Sequence, residues 1–178
     1  MRWLIAGLIV IIISLLGLQL WMTLRPLEVP PTPGLVIDSN SLVAVEVVEV
    51  FDGDTVEVEF ADGRKAKVRY LGVDTPETVA PNRPVGCYGY QASDRNKKLV
   101  DKKQIYLQKD TSDTDKYDRL LRYVYLKQDN GWVLLSDYLI RYGFGTVLSL
   151  PPDNKLTSQL LQAENEARTL ERGLWKKC

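Results

Sequence analysis

Histidine does not occur in this chain of 178 residues. Its absence excludes Ser-His-Asp and Cys-His catalysis, histidine-ligated zinc and any imidazole general base. Acid–base chemistry falls to carboxylates, lysine and tyrosine. Cysteine is scarce: Cys87 and Cys178 cannot build a structural zinc site, which takes four ligands. Net charge is lacking too, with 23 basic side chains against 23 acidic ones, so no global field draws in a polyanion. Handling one would need a local basic face or a bound cation.

What is present is unevenly spread. The hydrophobic fraction is 45%, and the run from Trp3 to Leu24 is apolar and uncharged. It is long enough to cross a bilayer core as a helix. Arg2 and Arg25 flank it, and Trp3 and Trp21 sit near its ends as interfacial anchors. A cleaved signal peptide is the rival, which would leave a secreted protein. The exit LQLWMTLRP offers bulky residues where a small-x-small cleavage site belongs. Residues 1–25 are therefore read as a membrane anchor with the following domain outside the cytoplasm. Residues 26–41, with Pro26, Pro30, Pro31, Pro33 and Gly34, read as an extended spacer. Residues 42–178 form one domain.

In that domain, VAVEVVEV and TVEVEF alternate apolar and polar residues with period two. Asp-Gly pairs follow each, at Asp52-Gly53 and Asp62-Gly63, and KAKVRYLGV continues a three-strand meander. Tyr88 to Asp101 reads as a polar helix. QIYLQ and LLRYVYL are two further strands around a charged loop. Val133 to Tyr142 reads as a helix closed by Gly143, and Leu156 to Arg172 as another ending at Gly173. The expected fold is β-rich α+β: a five-stranded barrel of the oligonucleotide-binding (OB) type with three helices, preceded by the transmembrane helix.

Three constellations carry chemistry. Asp54, after the Asp52-Gly53 turn, and Asp74-Thr75-Pro76-Glu77, at a strand end, offer oxygen ligands of the kind hard cations prefer. Asp54, Asp74 and the Thr75 carbonyl make an open site with room for water and a phosphate oxygen. Glu77 is placed to take a proton from that water. The spacing does not match an EF-hand. Lys65 and Lys67 read as a solvated strand face, whereas Arg69 lies nearer Asp74 and suits bidentate phosphate contact. Lys116, Tyr117 and Arg119 lie in the charged loop. They read either as an ordinary hairpin loop or as a clamp on a phosphodiester.

Asp52-Gly53-Asp54-Thr55, Arg69 through Glu77, Tyr88-Gly89 with Ala92-Ser93, and Asp115 through Arg119 together resemble the thermonuclease family, the staphylococcal-nuclease-like domains. The resemblance runs from about Val43 to Trp175. It implies an OB-fold barrel and Ca²⁺-dependent hydrolysis of DNA and RNA that leaves 3′-phosphates. It assigns Asp54, Asp74 and Thr75 to the metal, Glu77 to the general base, and Arg69 and Arg119 to catalysis. Lys116 and Tyr117 fall on phosphate-contacting positions. Two departures stand out. Asp118 occupies a position where the family's best-known member has glycine; Asp tolerates left-handed backbone better than most residues, but it adds negative charge beside Arg119. The region Thr146 to Pro152 lacks a tyrosine pair that packs the nucleotide base in that member.

Outside the cytoplasm, a Cys87–Cys178 disulfide is expected on redox grounds. The implied partners are nucleic acid as substrate and a membrane through the N-terminal helix, with no obligate protein partner evident. A noncatalytic nucleic-acid-binding barrel is the alternative, although such a module would be expected to lose a carboxylate or an arginine. A partner-binding module at the membrane is a third possibility.

Overall fold

The alternation of the first strands closes on itself. In the computed structural model, which describes residues 29–78 and 84–178, β1 (Val43–Val50), β2 (Thr55–Glu59) and β3 (Lys65–Tyr70) form an antiparallel meander. β1 also pairs with β5 (Gln104–Gln108), and β5 pairs with β6 (Leu120–Gln128). A parallel pairing of β3 with β6, from Val68↔Leu120 to Tyr70↔Arg122, shuts the barrel. β1 pairs on both edges, and its register with β2 shifts between Val47 and Glu49, the kind of bulge that bends a strand at a barrel corner.

The inward residues build the core. Val45, Val47, Val56, Val58, Val68, Ile105, Leu107 and Val124 are all buried, each worth about 1.5–3 kcal/mol relative to exposure. Around them lie α1 (Gly89–Val100), α2 (Leu135–Arg141) and α3 (Thr157–Thr169), followed by a short α4 (Leu174–Lys177). A closed five-stranded barrel with three longer helices is the arrangement expected of an OB fold.

Several elements differ from the sequence expectations. The third strand does not run straight through KAKVRYLGV. It breaks at Leu71, and β4 (Gly72–Asp74) leaves the barrel to pair with β8 (Thr146–Leu148). Gly72 makes the turn at φ +84°, where a side chain would collide with Leu160. The segment expected to start a helix at Val133 begins instead with β7 (Gly131–Leu134), hairpinned onto β6, and α2 starts only at Leu135. Cross-strand pairing of Trp132 with Lys127 and Val133 with Leu126 outweighs the helical pattern there. The helix expected from Leu156 to Arg172 runs only from Thr157 to Thr169 as α3, with Leu160, Ala163 and Ala167 buried and Leu170, just beyond its end, exposed.

The anchor expected at residues 1–25 lies outside the described residues, as does the start of the 26–41 segment; among the described residues no helix is long and apolar enough to cross a membrane. The described part of that segment does not behave as a free spacer. Val29 is buried, the Thr32 N–H donates to the Trp132 carbonyl at 2.9 Å, and the Thr32 hydroxyl accepts from the Leu134 N–H at 2.8 Å. β7 is an edge strand, and this strap covers its unpaired side. At the other end of the chain, Cys178 is joined to Cys87 with Cα atoms 5.9 Å apart.

Candidate active site

Where the β1–β2 turn meets the end of β4, the chain makes a polar cleft of about 200 Å³. Its walls are Asp52, Asp54, Arg69, Asp74, Thr75, Pro76, Glu77 and Arg119. Six residues singled out from sequence therefore converge: Asp54, Arg69, Asp74, Thr75, Glu77 and Arg119.

The turn is built for close approach. The Asp52 side chain accepts the Asp54 N–H at 2.9 Å, an Asx turn. A Cβ on Gly53 would sit 2.6 Å from the Thr75 hydroxyl oxygen, so only glycine lets the turn lie against β4. Asp54 is then buried and fully engaged. Its Oδ2 accepts the Thr75 N–H at 2.8 Å and the Thr75 hydroxyl at 2.9 Å; its Oδ1 accepts the Thr55 hydroxyl at 3.1 Å.

Arg69 threads between the acids. Its Nη1 donates to the carbonyls of Tyr70 (3.0 Å) and Val73 (2.8 Å) and lies 3.1 Å from Asp54 Oδ1. Its Nη2 donates to Asp74 Oδ1 at 2.9 Å. The backbone contacts lock the guanidinium plane, while Asp74 stays exposed on the cleft's rim. Arg119 enters from the β5–β6 loop, with Nε 2.8 Å and Nη2 2.7 Å from Asp115 Oδ2. Asp115 also accepts the backbone N–H groups of Tyr117 and Arg119. Asp118 adopts φ +63°, the left-handed geometry a glycine would take at no cost, and the loop keeps its turn.

The electrostatics show crowded negative charge. Burial, with the Asp54 carboxylate alongside, pushes Asp52 up to about 6. Burial also raises Asp74, as do Asp54 and Glu77, against the opposing pull of Arg69. A divalent cation would relieve this crowding, and the donors are all hard oxygens of the type calcium takes. Among the described residues, no three carboxylates already converge as a ligand set, and Arg69 is paired with both Asp54 and Asp74. The residues fit a cation with an open, incomplete protein shell.

Lys116 and Tyr117 lie outside the cleft. Tyr117 lines a neighbouring groove with 67% of its surface exposed, and Lys116 Nζ is 5.0 Å from its ring centroid. Two participants were not singled out from sequence. Asp52 read as a turn former, which it also is. Asn96 is fully buried on α1, donates to the Asp52 carbonyl at 2.9 Å and accepts from the Tyr70 hydroxyl at 3.2 Å. One more polar residue on a polar helix gave no signal. Thr146–Leu148, where a base-packing pair was missed, pairs as β8 with β4, carrying Val147 opposite Val73.

Residues 67–177 match the family described as Staphylococcal nuclease homologue. This chain belongs to that family. It is similar over nearly its whole length to the Thermonuclease of Staphylococcus hyicus, with 31% identity across 98% of this chain and 99% of the relative. The Thermonuclease of Staphylococcus intermedius is 37% identical across 74% of this chain and 75% of its own. Endonuclease YncB of Bacillus subtilis (strain 168) is 39% identical across 79% of this chain and 65% of its own. The matched range includes Arg69, Asp74, Cys87 and Arg119.

Proposed function

We propose that the chain is a calcium-dependent phosphodiesterase that hydrolyses DNA and RNA, leaves 3′-phosphates, and is held at a membrane by its N-terminal helix. The observation that carries this reading is the meeting of Asp54, Asp74, Glu77, Arg69 and Arg119 in one cleft of a nuclease-family barrel.

Asp54, Asp74 and Thr75 would hold the cation, which when bound supplies positive charge to a phosphate oxygen and to a nucleophilic water. The remaining work falls to side chains. Glu77, on the cleft wall, accepts the proton that the attacking water gives up. Arg119 presents a guanidinium oriented by Asp115, and Arg69 presents one fixed by the Tyr70 and Val73 carbonyls. Both are aimed at the oxygens on which charge builds during displacement. A ligand that draws Asp54 and Asp74 away from Arg69 frees its donors for the phosphate.

The membrane tether rests on the Trp3–Leu24 run, and the domain is placed outside the cytoplasm, where a Cys87–Cys178 bond persists. Washing of membranes at alkaline pH and protease protection of intact cells check both points.

The test of activity is digestion of single-stranded DNA and of RNA by the full-length chain purified in detergent, with calcium or with chelator. Calcium-dependent cleavage that disappears in Arg119→Ala supports the reading. Binding without cleavage would return the chain to a noncatalytic nucleic-acid module.

A further inference from the structure

Beside the catalytic cleft, β3 leads into a second groove of about 520 Å³. Side chains at every second position of a strand share one face, about 6.6 Å apart. Lys65, Lys67 and Arg69 are such a row. Arg69 reaches the cleft, while Lys65 and Lys67 line the groove together with Arg64 and Tyr117.

We propose that this groove is an extended subsite that grips the phosphodiester chain of a single-stranded nucleic acid beyond the nucleotide being cleaved. For its substrate class the proposal rests on the nuclease reading above.

The cations are held at the surface rather than left to wander. The Arg64 guanidinium lies 3.9 Å from the Phe60 ring centroid, and Lys67 Nζ lies 4.4 Å from that of Phe51. Lys65 is 3.7 Å from Glu59, a contact between two well-exposed groups that solvent screens. The spacing of the row is comparable to that of successive phosphates along an extended strand. Tyr117 supplies a second element: its exposed ring offers a face to a base, with Lys116 5.0 Å and Arg119 5.5 Å from its centroid. Exposed aromatic surface among cations is the pattern of single-strand recognition, since a base must leave its stack to use it. Two acids also border the groove, Glu57 and Asp118. They leave an excess of one positive charge among the lining side chains, which suits a grip that must release after each cut.

The experiment compares the full-length chain with the Lys65→Ser/Lys67→Ser double variant. Neither lysine belongs to the catalytic cleft. Binding of a fluorescent single-stranded dodecamer and a dinucleotide is followed by anisotropy in chelator, across a salt series. Cleavage of both is then measured with calcium. The double variant should bind the dodecamer about tenfold more weakly, with the salt dependence shallower by about 1.4, roughly 0.7 per lysine. Dinucleotide binding and cleavage should not change, and Lys65→Arg/Lys67→Arg should restore dodecamer binding. Equal dodecamer affinity and salt slope in a folded double variant overturn the proposal, as does failure of the wild type to prefer the dodecamer. If the wild type binds the longer strand but cuts nothing, the nuclease reading falls and the subsite stands.

Discussion

Arg69 and Asp54 lie 3.1 Å apart where neither is open to water, at 8% and 4% exposure. A buried pair of this kind gains little net stability by existing, but removing one partner strands the other. Arg69→Met should lose about 3–5 kcal/mol of folding stability in chelator, read by urea denaturation. Calcium should recover part of that loss, because a cation can replace the guanidinium beside Asp54. Wild-type stability in Arg69→Met without calcium would mean the pair is not what holds the cleft together.

Arg119 is positioned differently, at the rim, through two contacts to the single oxygen Oδ2 of Asp115. On the proposed function its contribution is to the reaction rather than to the fold. Arg119→Lys should lower kcat about a thousandfold, the low end of what a transition-state arginine supplies, with little change in melting temperature. Asp115→Asn keeps the arginine but loosens its orientation, and a fall in kcat of about tenfold is expected. Saturation kinetics on one oligonucleotide for both variants decide the point.

The barrel was legible because its strands alternate cleanly and its turns carry Asp-Gly. The acids and arginines were legible because they sit at strand ends and in one charged loop. What escaped was set by partners far away in the chain. β7 looked helical until its pairing with β6 is seen. β4 looked like the tail of β3 until Gly72 bends it towards β8. The proline-rich segment looked like a spacer because proline composition says nothing about which carbonyl Thr32 reaches. Asn96 supports the site through the Asp52 backbone, a role no local pattern encodes.

The Cys87–Cys178 bond spans a separation of 91 residues and lies next to active-site backbone, since the Gly86 N–H donates to the Glu77 carbonyl at 2.8 Å. Chain-entropy reasoning gives about 4–5 kcal/mol for a loop of this size. Dithiothreitol, or Cys178→Ser, should lower the urea midpoint accordingly. If the turn at Gly86 loosens with it, activity at a temperature well below the transition should fall as well. An unchanged midpoint on reduction would show that the C-terminal helix holds its place unaided.

Asp153 gives a pH dependence remote from the cleft. Burial opposes its ionisation, but the hydrogen bonds from Ser112 and Thr111 and the charge of Lys109 outweigh that and hold the carboxyl below its ordinary 3.8. A carboxyl with a depressed folded pKa contributes stability above its unfolded pKa, and that contribution fades as pH falls through the folded value. The stability gap between wild type and Asp153→Asn should therefore be full at pH 6 and shrink below about pH 3.8. Thermal melts from pH 6 down to pH 2 measure it. A gap that is constant with pH would assign the effect of Asp153 to shape rather than charge.

The strap over β7 turns on Thr32, whose hydroxyl accepts the Leu134 N–H at 2.8 Å and whose own N–H reaches the Trp132 carbonyl. Thr32→Val keeps the shape and removes the acceptor, leaving a buried backbone donor unsatisfied at a cost of about 1–3 kcal/mol. Thr32→Ser retains the hydroxyl and should lose much less. Deleting residues 1–41 removes both hydrogen bonds and the buried Val29, so it should destabilise the domain more than Thr32→Val does. Amide exchange locates the effect: in Thr32→Val the Leu134 N–H should lose protection while the β1–β2 pairing keeps its own. Should the deleted form instead melt with the full chain, the segment is a spacer after all, and the domain begins at β1.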